Sequence, residues 1–572
     1  EYSKYWERLA VRLDNRFFLM WLAPVVASCF SLDVHMGGSL MRHVLKVAFY
    51  GFLLFYLFYF LVNPIKHKGL VQGLKTTMLV FSLSFAFIDF FTSYYFSMGF
   101  NQALVDTILA TNAEESYAFF VGMVMPHWGI IGACLLFCWV FLYTVRIQVQ
   151  LSYYQSSLIL ALLLSGIALH SIRTGWNLQQ GVKGYFVNLI IATHTTPIIK
   201  EMNTLYNAFQ DRHQVQRIYK SFKQPYPKGY TKLESNSVPN VVLIIGESAS
   251  RNFMGVYGYS VPDTPFFSGL VERERERERE RERSQNLFVF DDVISAFAST
   301  MAVFQVLLNY SDHENRTEPW YKQKNLGDIF KLAGYKTFWL DNQEESGSSN
   351  AYSLIARRFD RHVYTQISFK KLYDLALVST FNTQIKPQLG TQNFILFHLI
   401  GSHVLYQNRF PKAYAKFTPA DIPYQGLHIK DEKDKQIVAD YVNSLYYTDH
   451  VLEEIFKLFE DKDALIIYLS DHAQDIFESA STYGHKCSAY GVEIPFVIYV
   501  TNTFKQKHPQ KVQQLAQAVH KPFMSDDLIH TLLPLVGIHT KDNIESKDLL
   551  SPQFDTHRKR VYCANKFYEK TP

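Results

Sequence analysis

The sequence predicts an α-helical membrane domain followed by one α/β domain with a mostly parallel central sheet. Nearly all the long apolar stretches lie before residue 175, and from residue 236 onward strand-like and helix-like segments alternate. Two short apolar runs in this second part also end in metal-binding side chains. We therefore divide the 572 residues into a helical domain at 1–172, a membrane-surface linker at 173–235 and an α/β domain at 236–572.

Five apolar stretches in the first domain are candidates for membrane-spanning helices. Most of them approach or reach the roughly 20 residues that a helix needs to cross a bilayer. They are Phe17–Leu32, His43–Val62, Thr77–Met98, Ala118–Val145 and Gln155–Ser171, and the first and last are short. A buried helical core is the alternative, but five such runs in succession argue against it. The sequence therefore predicts an integral membrane protein.

The charges of the loops predict how these helices are oriented. Lysines and arginines precede the first stretch and separate the second from the third, whereas the loop after the third carries Asp106, Glu114 and Glu115. Because basic loops stay in the cytoplasm, the N-terminus is expected there and everything after about residue 175 outside. No cleavable signal pattern is present, so the first stretch would act as an uncleaved anchor. An amphipathic stretch near 196–219 suits a linker that lies along the membrane surface.

Composition adds two smaller inferences. The net charge of +5 is modest and spread along the chain, so it makes no case for nucleic acid as a partner. Cys487 and Cys563 are the two cysteines in the α/β domain, and an oxidising compartment permits one disulfide between them. Sequence separation does not decide whether they pair.

A run of alternating Glu and Arg at 272–283 is the least ordinary segment of the α/β domain. Opposite charges at i,i+3 and like charges at i,i+4 largely cancel in a helix, and the run carries no net charge that would attract nucleic acid or anionic lipid. We expect a solvated surface insertion that extends a helix beginning near Pro265 and loops outward.

Metal-binding side chains follow two runs that are typical of central strands in a parallel sheet. The run from Val241 ends in Gly246-Glu247-Ser248, and the run from Ala464 ends in Ser470-Asp471-His472. In open α/β sheets, sites form at the carboxyl ends of the strands. Glu247, Asp471 and His472 are therefore predicted to share a cation, and a ligand set of oxygen and nitrogen suits zinc or manganese better than calcium.

Further histidines and a hydroxyl group strengthen this prediction. His398 and His403 follow the apolar run 393–397, and His485 comes 13 residues after His472. Thr300 precedes an apolar helix, whose N-terminus favours an anion such as phosphate. Thr300 is then either a nucleophile, activated if a metal lowers the pKa of its hydroxyl, or only a helix cap, and spacing leaves both open.

These features together resemble the Gram-negative phosphoethanolamine transferases, inner-membrane enzymes of the alkaline phosphatase and sulfatase superfamily. The likeness runs from the five spans essentially to the end of the chain, and its motifs are specific in combination. They are Gly246–Arg251, Val256–Tyr259, Thr264-Pro265, Ser299-Thr300, Asn325–Phe330, Gly334-Tyr335, Trp339–Asn342, His398–His403 and Ser470–His472. The resemblance implies an alkaline phosphatase-like periplasmic domain.

The resemblance also implies roles for the polar residues at the strand ends. Zinc would be bound by Glu247, Asp471 and His472, with manganese the less favoured metal. Thr300 would be both a ligand and the residue that accepts the phosphoryl group. A remaining group of histidines would hold the phosphate or a second zinc and protonate the leaving group: His398, His403 and His485.

The same resemblance extends to the lipid substrate. Thr111–Glu115 is similar to a Thr-Asn-x-x-Glu segment of the family, in which Asn112 and Glu115 would help to receive the ethanolamine headgroup. The implied reaction is a ping-pong transfer by a monomer at the bilayer. Thr300 would attack phosphatidylethanolamine and release diacylglycerol, and the phosphoethanolamine would then pass to lipopolysaccharide, on lipid A or the inner core.

Two departures from the family pattern and three alternatives stand beside this interpretation. Relatives often carry several disulfides where this chain can form one, and the Glu-Arg run is foreign to them.

A phosphoglycerol transferase acting on a periplasmic glycan or a lipoteichoic acid-type acceptor would use the same fold. A sulfatase is disfavoured because no Cys-x-Pro-x-Arg or Ser-x-Pro-x-Arg motif occurs. A transporter or a non-catalytic sensor is disfavoured because every expected ligand residue is present.

Overall fold

The structure is a computed structural model, and it divides into two compact units. One unit comprises residues 1–105 and 120–211, and the other comprises 106–119 and 212–572. The described residues are 11–30, 40–96, 100, 104–105, 108, 116–117, 119–177, 195–213, 222, 225–279, 285–312, 314–315, 318–344, 351–366 and 373–570. The domain boundaries predicted near residues 172 and 235 stay predictions.

The first unit is helical, as the apolar stretches predict. Its helices are α1 (Asn15–Ser28), α2 (Leu40–Val62), α3 (Lys68–Phe96), α4 (Trp128–Thr144), α5 (Tyr153–Asn177) and α6 (Ile199–His213). By length and composition, the segments Leu40–Val62, Lys68–Tyr94 and Phe120–Thr144 are able to cross a membrane. The first and fifth predicted spans also form helices, but α1 has 14 residues and the apolar part of α5, Tyr153–Leu169, is likewise short.

The second unit contains the predicted mostly parallel sheet. Its strands in chain order are β1 (Asn240–Gly246), β2 (Leu287–Phe290), β3 (Lys336–Glu344), β4 (Arg361–Gln366), β5 (Asn393–His398), β6 (Ala464–Ser470) and β7 (Phe496–Val500). They lie in the order β2-β7-β6-β1-β5-β3-β4. The pairs from β6 to β4 are parallel, and β7 pairs antiparallel with both β6 and β2.

Helices and short strands surround this sheet. The helices are α7 (Pro265–Arg279), α8 (Thr300–Phe304), α9 (Leu326–Leu332), α10 (Ala351–Ala356), α11 (Ala376–Thr380), α12 (Glu432–Lys457), α13 (Asn502–Lys507), α14 (Pro509–Ala518) and α15 (Leu528–Val536). Short strand pairs of this unit lie outside the main sheet: Asp475–Ile476 with Tyr483–Gly484, Phe523–Met524 with Val293–Ile294, Ile538–Thr540 with Thr231–Leu233, and Val561–Tyr562 with Lys566–Phe567. The first unit has a short pair of its own, Val11–Leu13 with Val149–Leu151.

Both faces of the central strands are covered, which explains their unbroken apolar sequences. Side chains of successive residues in a strand point to opposite faces. On one face, Leu243 of β1 belongs to a buried cluster that includes Ile329 and Leu532. On the other, Tyr468 of β6 packs against Phe267, with ring centroids 6.0 Å apart. A strand buried on both faces reads as a continuous apolar run, and that pattern predicted β1 and β6.

The Glu-Arg run continues a helix, as predicted. Helix α7 begins at Pro265 and extends to Arg279, and residues 280–284 lie outside the described part of the chain. The carboxylate of Glu274 accepts hydrogen bonds from the backbone N–H groups of Asn286 (2.7 Å) and Leu287 (2.8 Å). The run is therefore not purely a solvated insertion, because one of its glutamates holds the start of β2.

Cys487 and Cys563 form a disulfide, with their Cα atoms 6.0 Å apart. The bond ties the C-terminal segment to the loop that carries His485. We expect replacement of both cysteines by serine to lower the free energy of unfolding by about 2–5 kcal/mol, because the 76-residue loop then opens in the unfolded chain. Urea unfolding of the two proteins measures this effect. An unchanged unfolding midpoint would contradict a stabilising role.

Candidate metal and phosphoryl-transfer site

The parallel register of β1 and β6 brings their carboxyl ends side by side. Gly246 pairs with Ser470, so Glu247 and Asp471 each follow directly at the same edge of the sheet. The Nε2 atom of His472 lies 3.3 Å from Oε1 of Glu247 and 3.4 Å from Oδ2 of Asp471. All three side chains are buried. The structure thus gathers the three predicted ligands into one group whose donor atoms could share a cation.

Thr300 lies at the first position of α8 and points into the same group. Its hydroxyl donates to Oε2 of Glu247 at 2.9 Å and lies 3.2 Å from Nε2 of His472. Ser299 is the N-cap residue of the helix, but its side chain caps no backbone group. Thr300 is partly exposed, so a substrate atom can reach it. This geometry favours the nucleophile interpretation over a simple helix cap.

The surroundings shift the pKa values of the two buried carboxylates in opposite directions. Burial by itself would raise the pKa of Glu247, but the attraction of His472 outweighs it and holds the pKa well below its ordinary value. Burial and the charge of Glu247 raise the pKa of Asp471 to about 7. Burial would lower the pKa of His472, yet the charges of Asp471 and Glu247 raise it to about 9. The group therefore attracts a positive charge.

One oxygen of Asp471 supports a metal as that positive charge. Oδ1 accepts the backbone N–H groups of His472 (2.7 Å) and Ser248 (3.2 Å). Oδ2 is buried and makes no hydrogen bond among the described residues. A buried carboxylate oxygen without a hydrogen-bond partner is costly unless it binds an ion. Its distance of 3.4 Å from Nε2 of His472 is short enough for both atoms to bind one ion.

Backbone carbonyl groups fix the tautomers of two histidines. Nδ1 of His472 lies 3.0 Å from the carbonyl of Ala473, and Nδ1 of His485 lies 3.3 Å from that of Ala298. A carbonyl oxygen only accepts, so each Nδ1 carries a hydrogen, and in the neutral ring, the form that binds a metal, each Nε2 presents its lone pair. Hydrogen bonds of this kind orient histidine ligands in metal sites. The two rings are 4.6 Å apart, centroid to centroid.

In His403 the hydrogen of the neutral ring is on Nε2 rather than on Nδ1. Its donor atom groups with those of Glu247 and His485 as a second possible metal set. However, Nη2 of Arg409 lies 3.4 Å from Nδ1 of His403, and a guanidinium only donates. Nδ1 therefore accepts, and the hydrogen of the neutral ring is on Nε2. Burial lowers the pKa of His403 to about 4, so this ring stays neutral and offers a donor that suits a phosphate oxygen better than a metal.

His398 is the last residue of β5 and belongs to a polar chain that leads into the site. Its Nδ1 atom lies 2.9 Å from Oδ2 of Asp341, which also accepts from Nε1 of Trp339 at 2.9 Å. Nε2 of Gln343 lies 3.1 Å from Nε2 of His398 and 3.3 Å from Oε2 of Glu247. Burial would lower the pKa of His398, but Asp341 outweighs it and raises the pKa. Gln343 thus stands between His398 and the carboxylate group.

Several residues that support the site were not assigned a role from sequence. Asp341 and Gln343 follow Leu340 in β3, Ser248 follows Glu247, and Gln474 lies two residues after His472. Gln474 donates to the Ser248 hydroxyl at 2.8 Å, and that hydroxyl donates to Oε1 of Glu247 at 2.5 Å. The available signal was the abrupt change from apolar to polar residues where β3 ends.

The predicted headgroup residues cannot be placed. Asn112 and Glu115 both lie outside the described residues. Their role in receiving ethanolamine stays a prediction.

A second group of possible ligands occurs elsewhere in this unit, but its charges are already compensated. Asp312, Asp527 and His530 are buried close together. Lys547 lies 2.7 Å from Asp312, and Arg558 pairs with Asp527. Nδ1 of His530 accepts from the backbone N–H of Ile544 at 3.0 Å. The two cations neutralise the carboxylates, and Nδ1 of the histidine is already hydrogen-bonded. The group therefore lacks the negative charge that a metal needs.

Gly401 sets the spacing between the loop after β5 and Glu247. It has a φ of +46°, and a Cβ at this position would lie 2.6 Å from the carbonyl oxygen of Glu247. We expect Gly401→Ala to destabilise the α/β unit by about 3 kcal/mol, from backbone strain and overpacking, and to weaken metal binding. Gly426→Ala is the matched control. Its φ is +86° with no atom within 4 Å, so it should cost only about 1 kcal/mol. Thermal unfolding compares them, and equal losses would refute the close-approach argument.

The fold and the site define a class: α/β proteins with a candidate cation site at the carboxyl ends of parallel strands, beside a hydroxyl at a helix N-terminus. The family model described as Sulfatase matches residues 239–538, more than half of the chain. The chain therefore belongs to the sulfatase family.

Two relatives with names are similar to about half of this chain. Phosphoethanolamine transferase EptC of Escherichia coli (strain K12) is 27% identical over 344 residues, which cover 57% of this chain and 56% of that protein. Phosphoethanolamine transferase EptA of Helicobacter pylori is 26% identical over 276 residues, which cover 47% of this chain and 49% of that protein. The chain thus spans about half the length of the curated relatives it matches.

Solved structures agree with the architecture. The C-terminal periplasmic domain of EptC from Escherichia coli, in complex with Zn, superposes with a TM-score of 0.54 at 25% identity and covers 60% of this chain and 95% of that one. The integral membrane phosphoethanolamine transferase EptA from Neisseria meningitidis superposes with a TM-score of 0.57 at 20% identity. The superposition covers 92% of this chain and 98% of the EptA chain. The second likeness shows the fold alone, and the predicted fold class is confirmed.

Proposed function

We propose that this protein transfers phosphoethanolamine from phosphatidylethanolamine to lipopolysaccharide, through a covalent phosphothreonine at Thr300. The observation that carries the proposal is the position of the Thr300 hydroxyl, 2.9 Å from Glu247 and 3.2 Å from His472. Relatives named phosphoethanolamine transferase support the choice of group transferred.

Zinc is the proposed metal, held by Glu247, Asp471, His472 and Thr300. The unpartnered oxygen of Asp471 and the lone pair of His472 fit such an ion. When bound, zinc lowers the pKa of the threonine hydroxyl and offsets the charge that develops on the phosphoryl group. The zinc complex of the Escherichia coli domain supports this choice of metal. A second zinc at His403 and His485 is less well supported, because Arg409 directs the hydrogen of His403 toward the site.

The residues of the chain account for each part of the transfer. The Thr300 oxygen attacks phosphorus, its proton passes to a neighbouring carboxylate, and the bond from phosphorus to diacylglycerol breaks. His403 and His485 are less buried than the three ligand residues. His403 can donate its Nε2 hydrogen to a phosphoryl oxygen, and His485 can protonate the departing alkoxide once its Nε2 has taken up a proton. A hydroxyl or phosphate of the acceptor then attacks the phosphothreonine and regenerates Thr300. His398, behind Gln343, orients the carboxylate group.

A location at the bacterial inner membrane, with the α/β unit in the periplasm, follows from this proposal. The donor is a lipid, and anchoring the enzyme raises its effective concentration near that donor. The apolar helices α2 and α3 and the segment Phe120–Thr144 support the anchor. A phosphoglycerol transferase remains the second candidate by fold, but the named relatives do not favour it.

Expression of the gene in a Gram-negative host provides the test of function. Mass spectrometry of the lipopolysaccharide is expected to show a phosphoethanolamine adduct with the wild-type protein and none with Thr300→Ala. The position of the adduct would identify lipid A or the inner core as the acceptor. An adduct of phosphoglycerol would replace this proposal with the second candidate, and an unchanged spectrum in both strains would reject it.

A further inference from the structure

His485 is carried by residues 475–488, which we call the His485 hairpin. The hairpin contains two short paired strands, Asp475–Ile476 and Tyr483–Gly484. The ring of His485 lies 4.6 Å from that of His472, centroid to centroid, and its Nδ1 atom lies 3.3 Å from the carbonyl oxygen of Ala298. A distance of 3.3 Å is longer than most N–H···O hydrogen bonds. The position of the ring therefore depends on the backbone that carries it.

The carboxylate of Asp475 joins the two ends of the His485 hairpin. Its Oδ1 atom accepts from Nζ of Lys486 at 3.1 Å and from the backbone N–H groups of residues 478 and 479, both at 3.2 Å. Its Oδ2 atom accepts from the hydroxyl of Ser488 at 2.6 Å. Lys486 and Ser488 follow His485 at the next residue and the third. One carboxylate thus holds the chain directly after the histidine against the chain before it.

The ammonium group of Lys486 makes its contacts within the hairpin. The side chain of Lys486 is 1% exposed and that of Asp475 is 0% exposed. Nζ also donates to the carbonyl of Thr482 at 2.6 Å and lies 3.5 Å from the hydroxyl of Ser479. With Asp475 these acceptors match the three hydrogens of an ammonium group. Because a buried ion pair often adds little stability over apolar residues of similar volume, we look for its value in the conformation that it fixes.

We propose that Asp475 and Lys486 are positioning residues for His485, which they hold against the segment that leads to Thr300. The inference rests on the proposed function, in which a proton on Nε2 of His485 passes to the alkoxide oxygen as its bond to phosphorus breaks. The disulfide of Cys487 ties the same hairpin to the C-terminal segment, so the hairpin stays attached when the ion pair is removed. The expected change is therefore in the position of His485 rather than in the fold.

The test replaces both members of the pair, because removal of one would leave a buried charge without its partner. The pair variant, Asp475→Asn with Lys486→Met, keeps similar side-chain volumes. Its matched control is Asp312→Asn with Lys547→Met, which removes another buried ion pair of the same unit, with a separation of 2.7 Å. Ser488→Ala is a milder variant that removes one hydrogen bond to Asp475 and leaves both charges in place.

The first readout is how the rate depends on the leaving group, measured with the full chain in detergent with zinc present. Diacylglycerol leaves as an alkoxide that needs a proton, whereas 4-nitrophenolate is stable without one. Since general acid catalysis contributes roughly 10²–10⁴ in rate, the pair variant should cleave phosphatidylethanolamine at least about tenfold more slowly than wild type, and 4-nitrophenyl phosphoethanolamine within about threefold of it. The control pair should keep the wild-type ratio of the two rates. Equal losses on both substrates would overturn the proposal.

A double-mutant cycle with His485→Ala tests whether the pair acts through the histidine. In the His485→Ala background, the pair substitution should lower the rate with phosphatidylethanolamine by less than about twofold, because the group that it positions is absent. Losses that multiply would show that the pair acts elsewhere, and the proposal would then be wrong.

Hydrogen exchange separates this inference from the proposed function. Backbone amides in peptides covering 478–491 should exchange at least about tenfold faster in the pair variant than in wild type and about threefold faster in Ser488→Ala, but at the wild-type rate in the control pair. Unchanged exchange in both the pair variant and Ser488→Ala would overturn the positioning role even if transfer is confirmed. Faster exchange confined to this segment supports the role even if the wild-type protein transfers a different group, so the two proposals fail separately.

Discussion

Thr300→Ala is expected to abolish phosphoethanolamine transfer while leaving the protein folded and able to bind zinc. Removal of a nucleophile together with its activating arrangement can cost up to about 10⁶ in kcat, and we expect at least about 10⁴ here. The hydroxyl is one of four proposed ligands, so loss of its oxygen leaves Glu247, Asp471 and His472 to hold the metal. Release of diacylglycerol from phosphatidylethanolamine by the purified protein measures the effect.

Thr300→Ser is the matched control because it keeps the hydroxyl at the helix N-terminus. It should retain measurable transfer, since the serine oxygen can occupy the same position 2.9 Å from Glu247. If Thr300→Ala released diacylglycerol at the wild-type rate, Thr300 would be a helix cap and another nucleophile would be needed.

Glu247→Gln is expected to have the second largest effect, through the metal. Glu247 is the carboxylate that contacts both Thr300 and His472. An amide keeps the volume but removes the charge, so the loss of zinc affinity should exceed the roughly 10- to 100-fold that follows removal of a supporting residue. Transfer activity should fall with it. Metal content after dialysis and competition with a chelating dye measure the affinity.

The control for this prediction is His530→Asn in the second group of possible ligands. Lys547 and Arg558 already neutralise that group, so the variant should keep its zinc content unchanged. If His530→Asn lost the metal and Glu247→Gln kept one full equivalent, the assignment of the metal site would be reversed.

Much of the fold could be predicted because its central strands can be recognised from the pattern of apolar residues in the sequence. β1, β5 and β6 are buried on both faces and therefore appear as unbroken apolar runs. The antiparallel pairing of β7 was not predictable from this signal, since its sequence is equally apolar. The reason lies in the connection: residues 471–495 form a hairpin and turns without a crossover helix, and a strand that returns without such a helix pairs antiparallel.

The candidate site was predictable to the extent that it depends on strand ends. Glu247 and Asp471 come directly after strands and His472 one residue later, so the register alone brings them together. The roles of Gln343 and Gly401 were not predictable, because they come from contacts between segments that are distant in sequence. The disulfide between Cys487 and Cys563 was open for the same reason. Only the folded chain brings their Cα atoms to 6.0 Å.

The most direct test of the transfer proposal is to locate the covalent phosphoethanolamine on the protein. The wild-type protein is incubated with phosphatidylethanolamine in the absence of acceptor, quenched with acid, digested and mapped by tandem mass spectrometry. The account predicts a phosphoethanolamine adduct on Thr300 that disappears when lipopolysaccharide is added before the quench. An adduct on another residue, or transfer that proceeds without any adduct, would contradict it.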